Sequence, residues 1–367
     1  MKRTWRIWIP ALVVATVVLV AVTFMLKERF VMNENSPTAS FIQNHMTNPN
    51  GTLASYLQDA RSENPDIVAG REALSESIGL WMQYAVAKND QAMFEQSYTL
   101  LKTYFLMPQK YIAWKLDADG TSHVTTNALG DDFRIVNALL AAADQWADGR
   151  EDKLQTAAAI SRVLTEFVQQ HGYYVDFHDF SNGYSSDLLS LVYVDLPALK
   201  AMESHEMLQP GTYGKYKSLL QSMPDDGVFY AKTFDPSTKQ FAYSDTVNLI
   251  DQLIIANHLM ETPRKPDKLI TFLKKEMNRL HYLPGQYNRT QRTPSVTYES
   301  PAVYGLAIEL AIRADDPKWA KQLYKQMVKL RDQDSRYPGG YVSGGNTHMF
   351  DNLVALLGET KLYHFLK

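Results

Sequence analysis

Cysteine is absent from all 367 residues of this chain. That excludes disulfides, thiolate metal sites and a cysteine nucleophile, and leaves no cysteine for lipid attachment. Basic charge is not in excess either: 37 Lys and Arg face 40 Asp and Glu, for a net charge of -3. No nucleic-acid footprint is therefore expected, and a polymer partner need not be anionic. The nine histidines include no pair four apart on a helical face, the common beginning of a zinc site. Asp117-Ala118-Asp119-Gly120 opens like a calcium loop but lacks the third acid and the closing glutamate, so it reads as a tight turn. Neither a metal nor a cofactor is expected.

What is present is a chain with 45% hydrophobic and 11% aromatic residues, ample for a sizeable core. Its many tyrosines suit both such a core and sugar binding, since an aromatic face packs on a pyranose while the hydroxyl forms hydrogen bonds. At the N-terminus Lys2, Arg3 and Arg6 precede an uncharged run over 7–26, followed by Lys27-Glu28-Arg29. A helix of that length spans about 30 Å, enough for a bilayer, and the leading positive charges keep the N-terminus cytoplasmic. The expected order is a cytoplasmic stretch 1–6, a single-pass signal anchor 7–26, a polar spacer 27–49 and a domain 50–367 outside the cell membrane. If the run is instead a cleaved signal, the domain is secreted.

Beyond the spacer the apolar spacing is helical nearly throughout, and helix, short break, helix recurs. The first pair runs from about 74 to 105. Further pairs are expected at 132–147 with 151–171, 186–204 with 211–222, 246–262 with 266–280, 299–314 with 317–332, and 346–357 with 360–366. Turns within pairs are short, while the linkers 106–131, 172–185, 223–245, 281–298 and 333–345 are long. Six hairpins of this kind predict an all-α chain closed into an (α/α)6 barrel, with the long loops gathered on one face. An open repeat array would show repeats that resemble one another, and these do not.

Glu76 heads an apolar helical run, with Gly79 beside it on the same face. Glycine inside a helix costs roughly 0.5–1 kcal/mol relative to alanine, so close approach of a ligand or another helix is expected there. Cutting a sugar chain by inversion requires a proton-donating carboxylic acid on one face of the scissile bond and a base carboxylate with its water on the other. Taken alone, Glu76 equally reads as a first-turn glutamate favouring the helix dipole, with Ser75 as a cap.

The stretch Ser75-Glu76-Ser77-Ile78-Gly79-Leu80-Trp81-Met82 resembles the acid motif of glycoside hydrolase family 8, Ser-Glu-Gly-x-Gly-Tyr-Gly-Met. It departs at Ser77, Leu80 and Trp81. Ala113-Trp114-Lys115 with Gly120 resembles the family's Ala-Trp-Lys block. Asp132, Ile135, Ala138, Leu139, Leu140, Ala142, Gln145 and Trp146 resemble its Ala-Thr-Asp-Ala-Asp helix. The resemblance implies an (α/α)6 fold, Glu76 as the acid and Trp114 as a sugar-stacking ring. In the family's Asp-x-Asp pair the first position falls on Gly130 and the second on Asp132. A shift of one residue lets Asp131 stand in for the first, and both acids also read as helix caps.

The family's base lies in a Tyr-Asp-Ala-x-Arg-x-Pro stretch, whose counterpart here is Phe241-Ala242-Tyr243-Ser244-Asp245-Thr246-Val247-Asn248. This implies Asp245 as base, Tyr243 as a contact, and Asn248 where the arginine would fall. Asp251 is the reserve base, because an acid among Leu249, Ile250, Leu253 and Ile254 is costly unless paired. Leu191 to Pro197 resembles a cleft-lining block and makes Tyr193 a substrate contact. The aromatic loop Tyr173 to Phe180 offers stacking subsites or a plug over the barrel end.

The expected function is a membrane-anchored, outward-facing glycoside hydrolase that cuts a β-1,4-linked polysaccharide endo and with inversion, an exopolysaccharide being favoured by the tether. Its alternative is an inactive polysaccharide-binding or secretion-accessory protein on the same barrel, motivated by Gly130 and Asn248. A lyase would want basic residues to neutralise a uronate, and the candidate residues are mainly acids.

Overall fold

The computed structural model describes residues 34–64 and 66–367 together with Met32. The expected cytoplasmic stretch and anchor, 1–26, lie outside them; among the described residues no helix is long and apolar enough to cross a membrane. Residues 35–367 form one packed unit.

Twelve α-helices build it. Six line the inside: α2 (Ser75–Ala87), α4 (Leu129–Gln145), α6 (Leu196–Ser204), α8 (Leu249–Leu259), α10 (Pro301–Arg313) and α12 (Met349–Leu366). Outside them lie α1 (Pro37–His45), α3 (Gln91–Leu100), α5 (Arg150–Phe167), α7 (Thr212–Ser222), α9 (Asp267–Leu280) and α11 (Pro317–Met327). In the inner ring α2 packs on α4, α4 on α6, α8 on α10, α10 on α12, and α12 returns to α2. Between α6 and α8 the turn Leu191–Tyr193 fills the joint, packing on both α8 and α4.

Five of the six expected hairpins are present. The sixth differs: α12 is one unbroken helix, and its outer partner is α1, inside the stretch 27–49 that composition marks as spacer. Ser36 caps α1 and Pro37 occupies its first turn, the usual start of a helix. Phe41, Ile42 and Met46 are buried against α12, and the Ser36 hydroxyl donates to Glu359 of α12 at 2.8 Å. Glu359 also accepts from Tyr324 and Arg331, so the expected break near 358 is instead a buried anchor point. A second shift concerns α6, which begins at Leu196 rather than near 186, because Asp195 caps it and Pro197 sits in its first turn.

Each long linker enters an inner helix at its N-terminus, so the long loops share one face, tied by short antiparallel strands. Ala73–Leu74 pairs with Lys115–Leu116, and Thr246–Asn248 with Gln286–Asn288. The glycine within α2 is explained by a helix: a Cβ on Gly79 would meet Ile135 of α4 at 3.1 Å and Arg134 at 3.3 Å. The turn at 117–120 forms as expected, with Gly120 donating back to the Asp117 carbonyl.

Candidate active site

All six inner helices point their N-termini at the long-loop face, and five carry an acid at that end. Glu76 stands on α2, Asp131 and Asp132 on α4, Asp251 on α8 and Asp351 on α12, while Asp195 caps α6. A helix N-terminus stabilises an anion by about 0.3–1 kcal/mol. For Glu76 that gain is overruled. Burial, then the charges of Asp131 and Asp351, raise its pKa from 4.5 to about 7 against the opposing pull of Arg134. A shift of that size disfavours the anion by roughly 3 kcal/mol, so the carboxyl stays protonated close to neutrality.

The positions of its neighbours follow from hydrogen bonds. The Ser75 backbone N–H donates to the Trp114 carbonyl at 3.0 Å, which fixes the tryptophan beside the acid. Asp131 accepts from the Ser75 hydroxyl at 2.6 Å and from Arg134 at 2.7 Å. Asp351 accepts from the Ser300 hydroxyl at 2.5 Å and from the Ala302 backbone N–H at 3.3 Å, so α10 orients it. A strap over residues 54–56 joins the two acid-bearing helix starts: Ala54 bridges Ala73 and Tyr56 bridges His348.

Of the residues expected in the site, Glu76, Trp114, Asp131 and Tyr193 meet. Tyr193 is half-buried, its ring lies over Gly130 in the space a Cβ there would need, and its hydroxyl is held neutral by burial and by Asp131, Asp176 and Glu76. Asp132 does not meet them. It is 1% exposed and accepts from Asn127 at 2.6 Å, and Asn127 in turn accepts from the His178 backbone N–H. Burial lifts its pKa well above the usual carboxylate range. Asp132 therefore fastens loops beneath the cleft and is no substrate contact; because the helix starts at Leu129, both acids fall in its first turn and Asp131 takes the outward place.

Asp245 lies exposed in the loop between the strands Gln240–Ala242 and Thr246–Asn248. It is not among the charges that act on Glu76. Asn248 caps α8 by accepting from Ile250 N–H. The guanidinium that grips this loop is Arg289: it donates to the Ser244 carbonyl at 2.7 Å and lies 4.9 Å from the Tyr243 ring, while its backbone N–H donates to the Asp245 carbonyl. Asp251 is half-buried beside a small cavity shared with Lys232 and Asn248, and burial raises its pKa against the pull of Lys232. The aromatic loop is mainly packing: Tyr174 is buried and Phe180 stacks on Tyr111 at 4.0 Å.

Asp351, Arg134 and Ser300 were not singled out in the sequence. Arg134 stands three residues after Asp131, a spacing that predicts their ion pair. Asp351 repeats the pattern of Glu76, an acid in the first turn of an apolar helix, and only its partners on α10 distinguish it from an ordinary first-turn acid. Among the described residues no group of His, Asp or Glu is arranged to hold a metal ion.

Comparison with known proteins agrees with this architecture. "Putative lipoprotein YdaJ" of Bacillus subtilis (strain 168) is 36% identical over 331 residues, covering 89% of this chain and 87% of that protein. The structure of a novel alpha-amylase from Clostridium perfringens superposes with a TM-score of 0.79 at 24% identity, over 89% of this chain and 96% of that one. PssZ from Listeria monocytogenes superposes with a TM-score of 0.72 at 25% identity, over 90% and 96%. Residues 20–200 match the profile of the glycosyl hydrolases family 8. With the acid motif on α2 and the (α/α)6 ring around it, this chain belongs to glycosyl hydrolase family 8.

Proposed function

We propose that this chain is an inverting endo-glycosidase, tethered to the outer face of the cell membrane, that cuts a β-1,4-linked polysaccharide such as an exopolysaccharide. The observation that carries the reading is the environment of Glu76: a carboxyl in the first turn of α2 whose pKa is raised to about 7 by burial and two acidic neighbours, with the backbone of Trp114 bonded to the residue before it. A general acid works best with a pKa near the working pH. Glu76 gives its proton to the glycosidic oxygen, Asp245 takes one from water on the opposite face, and Trp114 stacks a sugar near the cut. Asp131, clamped by Ser75 and Arg134, and the Tyr193 ring line the same mouth.

The relative named as a lipoprotein supports the tether. This chain has no cysteine for a lipid, and the uncharged run 7–26 would do the same work. Protease added to intact cells should degrade the domain; protection until lysis would reverse the orientation. For the activity, wild type and Glu76→Gln are compared by reducing-end release from β-1,4-linked and α-1,4-linked polymers. Turnover should fall by ~10²–10⁴-fold in the variant while binding persists.

The second reading, a binding or accessory protein, is favoured by the exposed side chain of Asp245, which has no partner among the described residues, and by the Tyr193 ring over Gly130. It stands if wild type binds polymer, releases no reducing ends and matches Glu76→Gln.

A further inference from the structure

Tyr298 is one of the few large apolar side chains exposed among the described residues, at 53%. A single exposed ring is ordinary, but this one is built in. It closes over Gly285, with its Cζ 3.0 Å from where a Cβ would be. Gly285 is not among the glycines with positive φ, so the backbone does not require glycine there, and the room it leaves for the ring is what a side chain would remove. The Gly285 N–H donates to the Tyr298 carbonyl at 3.1 Å, and the Gly285 carbonyl accepts from Leu249 N–H at the start of α8. Two residues after Tyr298, Ser300 holds Asp351. The ring is thus fixed to the N-terminal ends of α8 and α10, and its hydroxyl forms no hydrogen bond among the described residues.

The order of the inner helices gives this position its meaning. Trp114 stands where α2 meets α4, Tyr298 where α8 meets α10, and in a ring of six these two joints are diametrically opposite. Packed helices are 8–10 Å apart, so opposite joints of a six-helix ring are roughly 14–17 Å apart, room for several sugar rings. Tyr243, 46% exposed over Arg289, lies on the same α8 side.

We propose that Tyr298 is the stacking platform of a pyranose subsite on the α8–α10 side of the cleft, and that it makes binding depend on the length of the glycan. This rests on the glycosidase reading and adds a second aromatic anchor that short ligands held at Trp114 do not reach.

The test is a binding titration of full-length protein carrying Glu76→Gln, which removes turnover, with ladders of β-1,4- and α-1,4-linked gluco-oligosaccharides of increasing length. Adding Tyr298→Ala should weaken the long ligands about 2–10-fold, the range of an aromatic contact, and leave the short ones unchanged. Tyr298→Phe should retain the affinity, and Gly285→Ala should lose it by displacing the ring from the other side. Equal affinity of Tyr298→Ala and its parent at every length would overturn the subsite while leaving the glycosidase reading intact. A parent that binds neither ladder would defeat both for these glucans.

Discussion

The hydroxyl of Ser75 and the carboxylate of Asp131 are 2.6 Å apart, a hydrogen bond that fastens the start of α2 to the start of α4. It holds a negative charge beside Glu76, where it helps to raise the pKa of the acid. Hydrogen bonds to charged groups contribute about 1.5–3 kcal/mol. Ser75→Ala should therefore lower the stability measured by urea unfolding by about 1.5–3 kcal/mol. An unchanged midpoint would mean that the bond contributes nothing.

Glu76 links stability to pH. Its folded pKa, about 7, is above the unfolded 4.5, so between these values the folded state binds more protons and stability falls as pH rises. Below about 4.5 the carboxyl is protonated in both states and costs nothing. Glu76→Gln cannot ionise, so it should gain stability relative to wild type progressively from pH 4.5 to above 7. Melting temperatures across that range measure the gap; a constant gap would contradict the buried, acid-flanked environment.

Asp351 and Arg134 act on the same proton in opposite directions. Asp351→Asn removes a repelling charge, lowers the Glu76 pKa and should move the alkaline limb of the rate profile to lower pH. Arg134→Gln removes an attracting charge and should move that limb to higher pH. Profiles of kcat/KM against pH for the two variants should bracket wild type. Two shifts of the same sign would mean that each residue acts through structure rather than charge.

The ring of helical hairpins was legible because inner and outer helices both carry helical apolar spacing and the turns between them are short. What escaped were the positions where long-range packing decides. The nine residues of α1 look like linker, and only burial of Phe41 and Ile42 against α12 makes them the sixth outer helix. The expected pair 346–357 with 360–366 puts a break at 358–359, yet α12 continues through it, and there Glu359 is held by Ser36, Tyr324 and Arg331. At the site, the order of Glu76, Trp114 and Asp131 was readable from local motifs. The division of labour between Asp131 and Asp132 was not, since it depends on a helix start three residues earlier than the sequence indicates. Asp351 enters from the far end of the chain through a ring closure that no local pattern encodes.

The base assignment gives the sharpest separation. Asp245 is exposed in a loop that Arg289 holds, whereas Asp251 is half-buried near Lys232 and is raised by burial. If Asp245 activates the water, Asp245→Asn should lower kcat by ~10²–10⁴-fold with little change in KM. Azide, a nucleophile that needs no base, should restore turnover. Asp251→Asn, which keeps the shape of a side chain beside a small cavity, should stay within a few-fold of wild type. The reverse pattern, with azide rescuing Asp251→Asn, would transfer the role to Asp251. Failure of azide to rescue either variant would point to the two acids whose charges act on Glu76, Asp131 and Asp351, and Asp131→Asn and Asp351→Asn would then be the variants to rescue.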